Sequence, residues 1–116
     1  MQFPFYWIDA FASKKLGGNP WAVVLGADSL SADEMQAFAK EMNLSETAFV
    51  VASRNADFAA RYFTPTEELP FAGHPTIATI HALQQAEVEV IGDAGNIEGI
   101  RVAGLAETLI VGNLRL

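Results

Sequence analysis

The chain has 116 residues, of which 14 are acidic and 7 basic, for a net charge of −7; 51% are hydrophobic and none is cysteine. That length supports one domain with a single core. The scattered cations exclude a nucleic-acid interface and disfavour an anionic membrane surface, and the lack of cysteine excludes disulfides, thiolate metal sites and a cysteine nucleophile.

The first segment, Met1 to Phe11, has no basic n-region and contains Asp9, so it does not read as a signal peptide. No apolar run approaches the ~20 residues of a membrane span. A cytoplasmic protein is the expectation. Phe3 to Asp9 is aromatic and β-branched, which predicts a strand. Leu16-Gly17-Gly18-Asn19-Pro20 reads as a turn in which glycine supplies positive φ and Pro20 holds Asn19 extended. Trp21 to Leu25 reads as a short buried strand.

Ser31 to Met42 carries the clearest helix signal. Ser31 and Glu34 form a capping box, each side chain satisfying an orphan backbone N–H. Met35, Phe38, Ala39 and Met42 fall at i, i+3, i+4 and i+7, one apolar stripe to lie on a sheet, with Gln36 and Lys40 facing water. Thr47 to Ala52 and Phe58 to Phe63 are strand-like, with Ser53 to Asp57 as a hairpin connection. Two prolines bracket Thr64 to Pro70, which predicts irregular structure throughout.

Gly73-His74-Pro75-Thr76 opens a second helix, with proline at the favoured first position. Ile77 to Leu83 is apolar nearly all round, as expected of a helix buried on most sides. Glu87 to Ile91 and Asn96 to Val102 are weaker strand candidates. Thr108 to Leu116 reads as a further strand.

Two constellations could carry chemistry. In Asn43-Leu44-Ser45-Glu46-Thr47-Ala48-Phe49-Val50 a carboxylate sits at the mouth of an apolar strand, where partial burial favours a proton acceptor and donor working near neutrality. A solvated loop carboxylate would look the same in sequence. In Phe71-Ala72-Gly73-His74-Pro75-Thr76 the free N–H groups of a helix start suit an anion, Gly73 allows close approach, and His74 stands where it could touch the ligand. A capping histidine in a structural turn is the competing reading.

Other patterns carry less. His74 and His81, both helical, would lie ~10.5 Å apart along the axis, so one metal ion cannot use both. Gly17-Gly18-Asn19-Pro20 lacks the ending of a phosphate loop. Ser45 has no evident triad partner.

Taken together, Asp9-Ala10-Phe11, Gly18-Asn19-Pro20 before a Val-Val strand, Asn43 to Phe49, Phe63-Thr64-Pro65 and Glu68 to Thr76 resemble the PhzF-like isomerase family of phenazine biosynthesis, in order and in spacing, over roughly residues 1 to 85. The resemblance implies an α+β chain: a single lobe of the diaminopimelate-epimerase-like fold, with a curved, mostly antiparallel sheet around a central helix. The helix from Pro75 fits that central place. Residues 1–116 would then be the N-terminal lobe, with the second lobe absent.

In the family the substrate lies between two lobes. The resemblance implies Glu46 as acid/base with His74 beside it, and Gly73, Asn19, Pro75 and Thr76 as substrate-binding residues. It implies a proton shift on a small cyclic or amino-acid-like carboxylate with no metal or organic cofactor. A missing second lobe or a homodimer mate would complete the cleft. The alternative is a non-catalytic module for binding or dimerisation.

Overall fold

A computed structural model describes residues 1–10, 14–52, 59–70 and 106–116. Its strands are β1 (Gln2–Ala10), β2 (Asn19–Val24), β3 (Thr47–Val51), β4 (Ala59–Phe63), β5 (Glu68–Leu69) and β6 (Ala106–Arg115), and its helix is α1 (Ala32–Met42), preceded by a 3-10 turn over Ala27–Ser29. The strands form one mixed sheet in the order β5-β4-β3-β2-β1-β6. Among the described strands only β2 and β3 pair in parallel, so the sheet is mostly antiparallel, as expected. The parallel pair needs a crossover, and α1 supplies it.

Helix α1 begins where the sequence places it. Ser31 Oγ accepts from the Glu34 N–H and Glu34 Oε1 accepts from the Ser31 N–H, both at 3.1 Å, completing the capping box. Asn43 ends the helix in the left-handed conformation, φ 54, and its N–H donates to the Ala39 carbonyl. An asparagine tolerates that conformation at lower cost than most residues.

Each face of the sheet has its own apolar cluster. Phe3, Val24, Ala27, Leu30, Met35, Ala39, Phe49 and Phe63 are buried on the α1 side. A run of edge-to-face rings joins helix to sheet there: Phe5–Phe38 at 6.2 Å, Phe38–Phe49 at 6.1 Å and Phe49–Phe63 at 5.5 Å between centroids. The second face buries Tyr6, Ile8, Ala10, Trp21, Val23, Leu25, Ala48 and Val50. Strand alternation explains the division, since neighbouring residues point to opposite faces.

Four expectations need revision. Leu16, φ 67, takes the left-handed conformation in the first turn, and Gly17 does not. Asn19 and Pro20 belong to β2 rather than to the turn, because Pro20 lies beyond the last β2–β3 pair, Ala22 with Thr47. Gln36 is half-buried and its Nε2 donates to the Thr64 carbonyl at 2.8 Å, whereas Lys40 is exposed. The segment from Thr64 to Pro70 contains a regular pair, Phe63 with Glu68 and Tyr62 with Leu69. Proline removes only its own N–H, so residues between two prolines can still join a ladder.

A tight turn makes that short pairing possible. The Thr64 hydroxyl accepts from the N–H groups of Thr66 and Glu67, and the Thr64 N–H donates to the Glu67 carbonyl. Across the pair, Arg61 donates two 2.7 Å hydrogen bonds to Glu68. The hairpin connection over 53–57, the second helix from Pro75 and the strand candidates between 87 and 102 lie outside the described residues.

Candidate active site at one rim of the sheet

The strand register gathers one end of every long strand at a common rim. Ala10 pairs with both Asn19 and Ala106, Ala22 with Thr47, and Thr47 with Phe63. The last residue of β1, the first residues of β2, β3 and β6, and the last residue of β4 therefore lie at the same end.

Glu46 is placed at this rim by the corner between α1 and β3. Asn43 turns the chain back, Leu44 is half-buried, Ser45 is exposed, and β3 starts at Thr47. Glu46 is half-buried, and its Oε2 is shielded from solvent. The parallel register sets Glu46 beside Trp21, one step before the Ala22–Thr47 pair. Alternation then puts Glu46 on the second face, with Trp21 and Asn19.

Asn19 is exposed at the start of β2 and lies two residues before Trp21. The rim thus brings Glu46 and Asn19 to one end and one face. Gly73, His74, Pro75 and Thr76 lie outside the described residues.

Two features of this region were not singled out from sequence. Asp9 is 3% exposed, and its Oδ2 accepts a long 3.5 Å bond from the Gly18 N–H. It lines a cavity of about 640 Å³ with Trp7, Lys15, Pro20, Leu109 and Ile110, among others. Alternation places this cavity on the α1 side, away from Glu46. A carboxylate inside an otherwise apolar strand was the available signal. The second feature is Trp21, which the sequence marks only as part of a buried strand. Its Nε1 is buried without a hydrogen-bond partner.

The pair across β4 and β5 has shifted proton affinities. The hydrogen bond from Arg61 holds the Glu68 carboxyl below its usual range, with burial opposing and the opposite charge adding to the effect. The same bond raises the Arg61 guanidinium. Glu68 lies on the rim side of β5 but is separated from β2 by β3 and β4, and its partner makes it a structural carboxylate.

The mixed sheet with its single crossover helix is a compact α+β lobe of the PhzF and diaminopimelate-epimerase-like type. Solved structures agree. A PhzF-family phenazine biosynthesis protein from Bacillus anthracis superposes with a TM-score of 0.71 at 41% identity, over 76% of this chain and 29% of that one. A predicted epimerase from Pseudomonas aeruginosa gives a TM-score of 0.64 at 35% identity, over 78% of this chain and 31% of its own.

The phenazine biosynthesis-like protein family, PhzC-PhzF, matches residues 8–105, and the chain belongs to it. A trans-2,3-dihydro-3-hydroxyanthranilate isomerase from Pseudomonas chlororaphis is 60% identical over 77 residues, 66% of this chain and 28% of that protein. The uncharacterized isomerase YddE of Escherichia coli is 49% identical over 73 residues, 63% of this chain and 25% of its own length. The chain therefore spans little more than a quarter of these relatives. Strand β6 begins just past the matched segment.

Proposed function

We propose that this chain supplies one half of a PhzF-type isomerase site, in which Glu46 moves a proton between two carbons of a small cyclic or amino-acid-like carboxylate. The observation that carries the reading is the α1–β3 corner, which sets a half-buried glutamate at the rim of a lobe that is similar to named isomerases. A glutamate in that position can take a proton from carbon and return it elsewhere, while the electron pair shifts along the substrate. No net oxidation occurs, and the proposal requires no metal or organic cofactor.

The remaining roles are carried over from the helix start that the sequence predicts at Gly73 to Thr76. The N–H groups of Gly73 and Thr76 suit the substrate carboxylate, Pro75 borders the same site, His74 orients the substrate or shares the proton, and Asn19 lines the cleft. A second lobe or a second copy of the chain completes the cleft, in a cytoplasmic enzyme. His74→Ala should weaken carboxylate binding more than it lowers the melting temperature; global unfolding would instead support a capping role.

The alternative reading is a non-catalytic module for binding or dimerisation. Incubating the chain in D₂O with trans-2,3-dihydro-3-hydroxyanthranilate, with the molar mass followed by light scattering, separates the two. Deuterium appearing on carbon supports the isomerase. A folded dimer with no uptake supports the binding module.

A further inference from the structure

We propose that the indole N–H of Trp21 is a substrate-facing hydrogen-bond donor of the Glu46 site; the inference rests on the reading of Glu46 as the acid/base of that site. Trp21 is 3% exposed, and its Nε1 is shielded from solvent with no hydrogen-bond partner. Native structures pair the large majority of such buried donors, and the exceptions cluster where a water, an ion or a ligand completes the bond. The indole can only donate, so whatever completes the bond must bring an acceptor.

No neighbour of Trp21 on its own face accepts from it. It packs in a cluster with Tyr6, Ile8, Val23 and Ala48, and its Nε1 reaches no acceptor there. The Thr47 hydroxyl is also buried and unpaired, but Thr47 is in register with Ala22 and points to the opposite face. What stands beside Trp21 in the parallel register is Glu46, on the neighbouring strand about 4.8 Å away and on the same face.

A substrate whose reacting carbon is in reach of Glu46 therefore lies next to this N–H. A carboxylate or hydroxyl oxygen of that substrate is the acceptor it fits. Trp21 thus acts on orientation and affinity, while Glu46 acts on the proton. Replacing the indole by a phenyl ring deletes the donor together with some core packing, so its binding is read only on the folded variant.

The test uses the full chain labelled with ¹⁵N, and 3-hydroxyanthranilate, the aromatic counterpart of the isomerase substrate, as the probe. The indole N–H signals of Trp7 and Trp21 are assigned with Trp7→Phe and Trp21→Phe. Trp7 lies on the opposite face and serves as the control. On titration the Trp21 N–H should move downfield while Trp7 stays in place. Trp21→Phe should bind the probe about 3- to 10-fold more weakly, the range one hydrogen bond supports, at a temperature where its spectrum shows the folded chain.

Binding that Glu46→Gln alters but that leaves the Trp21 signal and the Trp21→Phe affinity unchanged would overturn this inference and leave the function standing. Binding that neither Glu46→Gln nor Trp21→Phe alters, or no saturable binding at all, would overturn the proposed function and this inference together.

Discussion

The two faces of the sheet are built from similar apolar mass but are finished differently. On the α1 face four phenylalanines meet edge to face and the helix closes over them. On the second face the core runs up to a rim where a half-buried carboxylate and a buried, unpaired indole N–H sit side by side. The contrast teaches where this lobe is specified for stability and where it leaves polar groups for a ligand. A buried polar group without a protein partner lowers stability, so it is informative when it stands next to a candidate base.

Substitutions on the α1 face should have the largest effect on stability. Phe49 is fully buried and touches both Phe38 and Phe63, so Phe49→Ala should cost about 3–5 kcal/mol, read as a lower urea midpoint. That is a large part of the total stability of a domain this size. A loss below about 1 kcal/mol would mean that the ring cluster is not the structural centre, and the contrast between faces would fail.

The next effect down tests the helix that closes this face. Ser31→Ala removes the acceptor for the Glu34 N–H and should cost about 1 kcal/mol. Unchanged stability would show that the sheet alone holds the helix in place.

The Arg61–Glu68 pair gives a smaller, pH-dependent effect. Its side chains are more than one-third exposed, so solvent screening limits it to about 0.2–1 kcal/mol. The Glu68 carboxyl is depressed in the folded state, so the stabilisation is present above the ordinary glutamate value and is lost as pH falls through the folded one. Arg61→Gln should therefore lower the melting temperature at pH 7, and the difference from the wild type should vanish near pH 2. A difference that grew on acidification would contradict the assignment.

The smallest expected change is at Thr47. Its buried hydroxyl has no partner, and valine has nearly the same shape, so Thr47→Val should be neutral or stabilising by up to about 1 kcal/mol. A clear loss of stability would reveal a hydrogen bond that this account lacks.

Much of the scaffold was legible because local signals and burial agree in it. Ser31 and Glu34 announce the helix start, the stripe from Met35 to Met42 sets its buried face, and Phe3 to Asp9 reads directly as a strand. The pair at Glu68–Leu69 was not legible, since prolines on both sides mask a ladder that depends on the Thr64 turn and on Arg61 reaching Glu68. Leu16 in the left-handed conformation was also hidden, because two glycines follow it and would take that role at less cost.

The site was legible in part. Glu46 stood out as a carboxylate before an apolar strand, and its corner position follows from Asn43 in the left-handed conformation. That Glu46 and Asn19 share a face could not be read from sequence, because it depends on β2 and β3 pairing in parallel. Trp21 beside Glu46 has the same cause: a register is a long-range property, and the crossover through α1 separates the two residues in sequence.

The most direct test of the account is solvent-deuterium incorporation into trans-2,3-dihydro-3-hydroxyanthranilate by the wild-type chain and by Glu46→Gln, each in its completed assembly. The account predicts uptake on carbon with the wild type and loss of uptake with Glu46→Gln at an unchanged melting temperature. Undiminished uptake in Glu46→Gln would contradict it and remove the rim glutamate as the base.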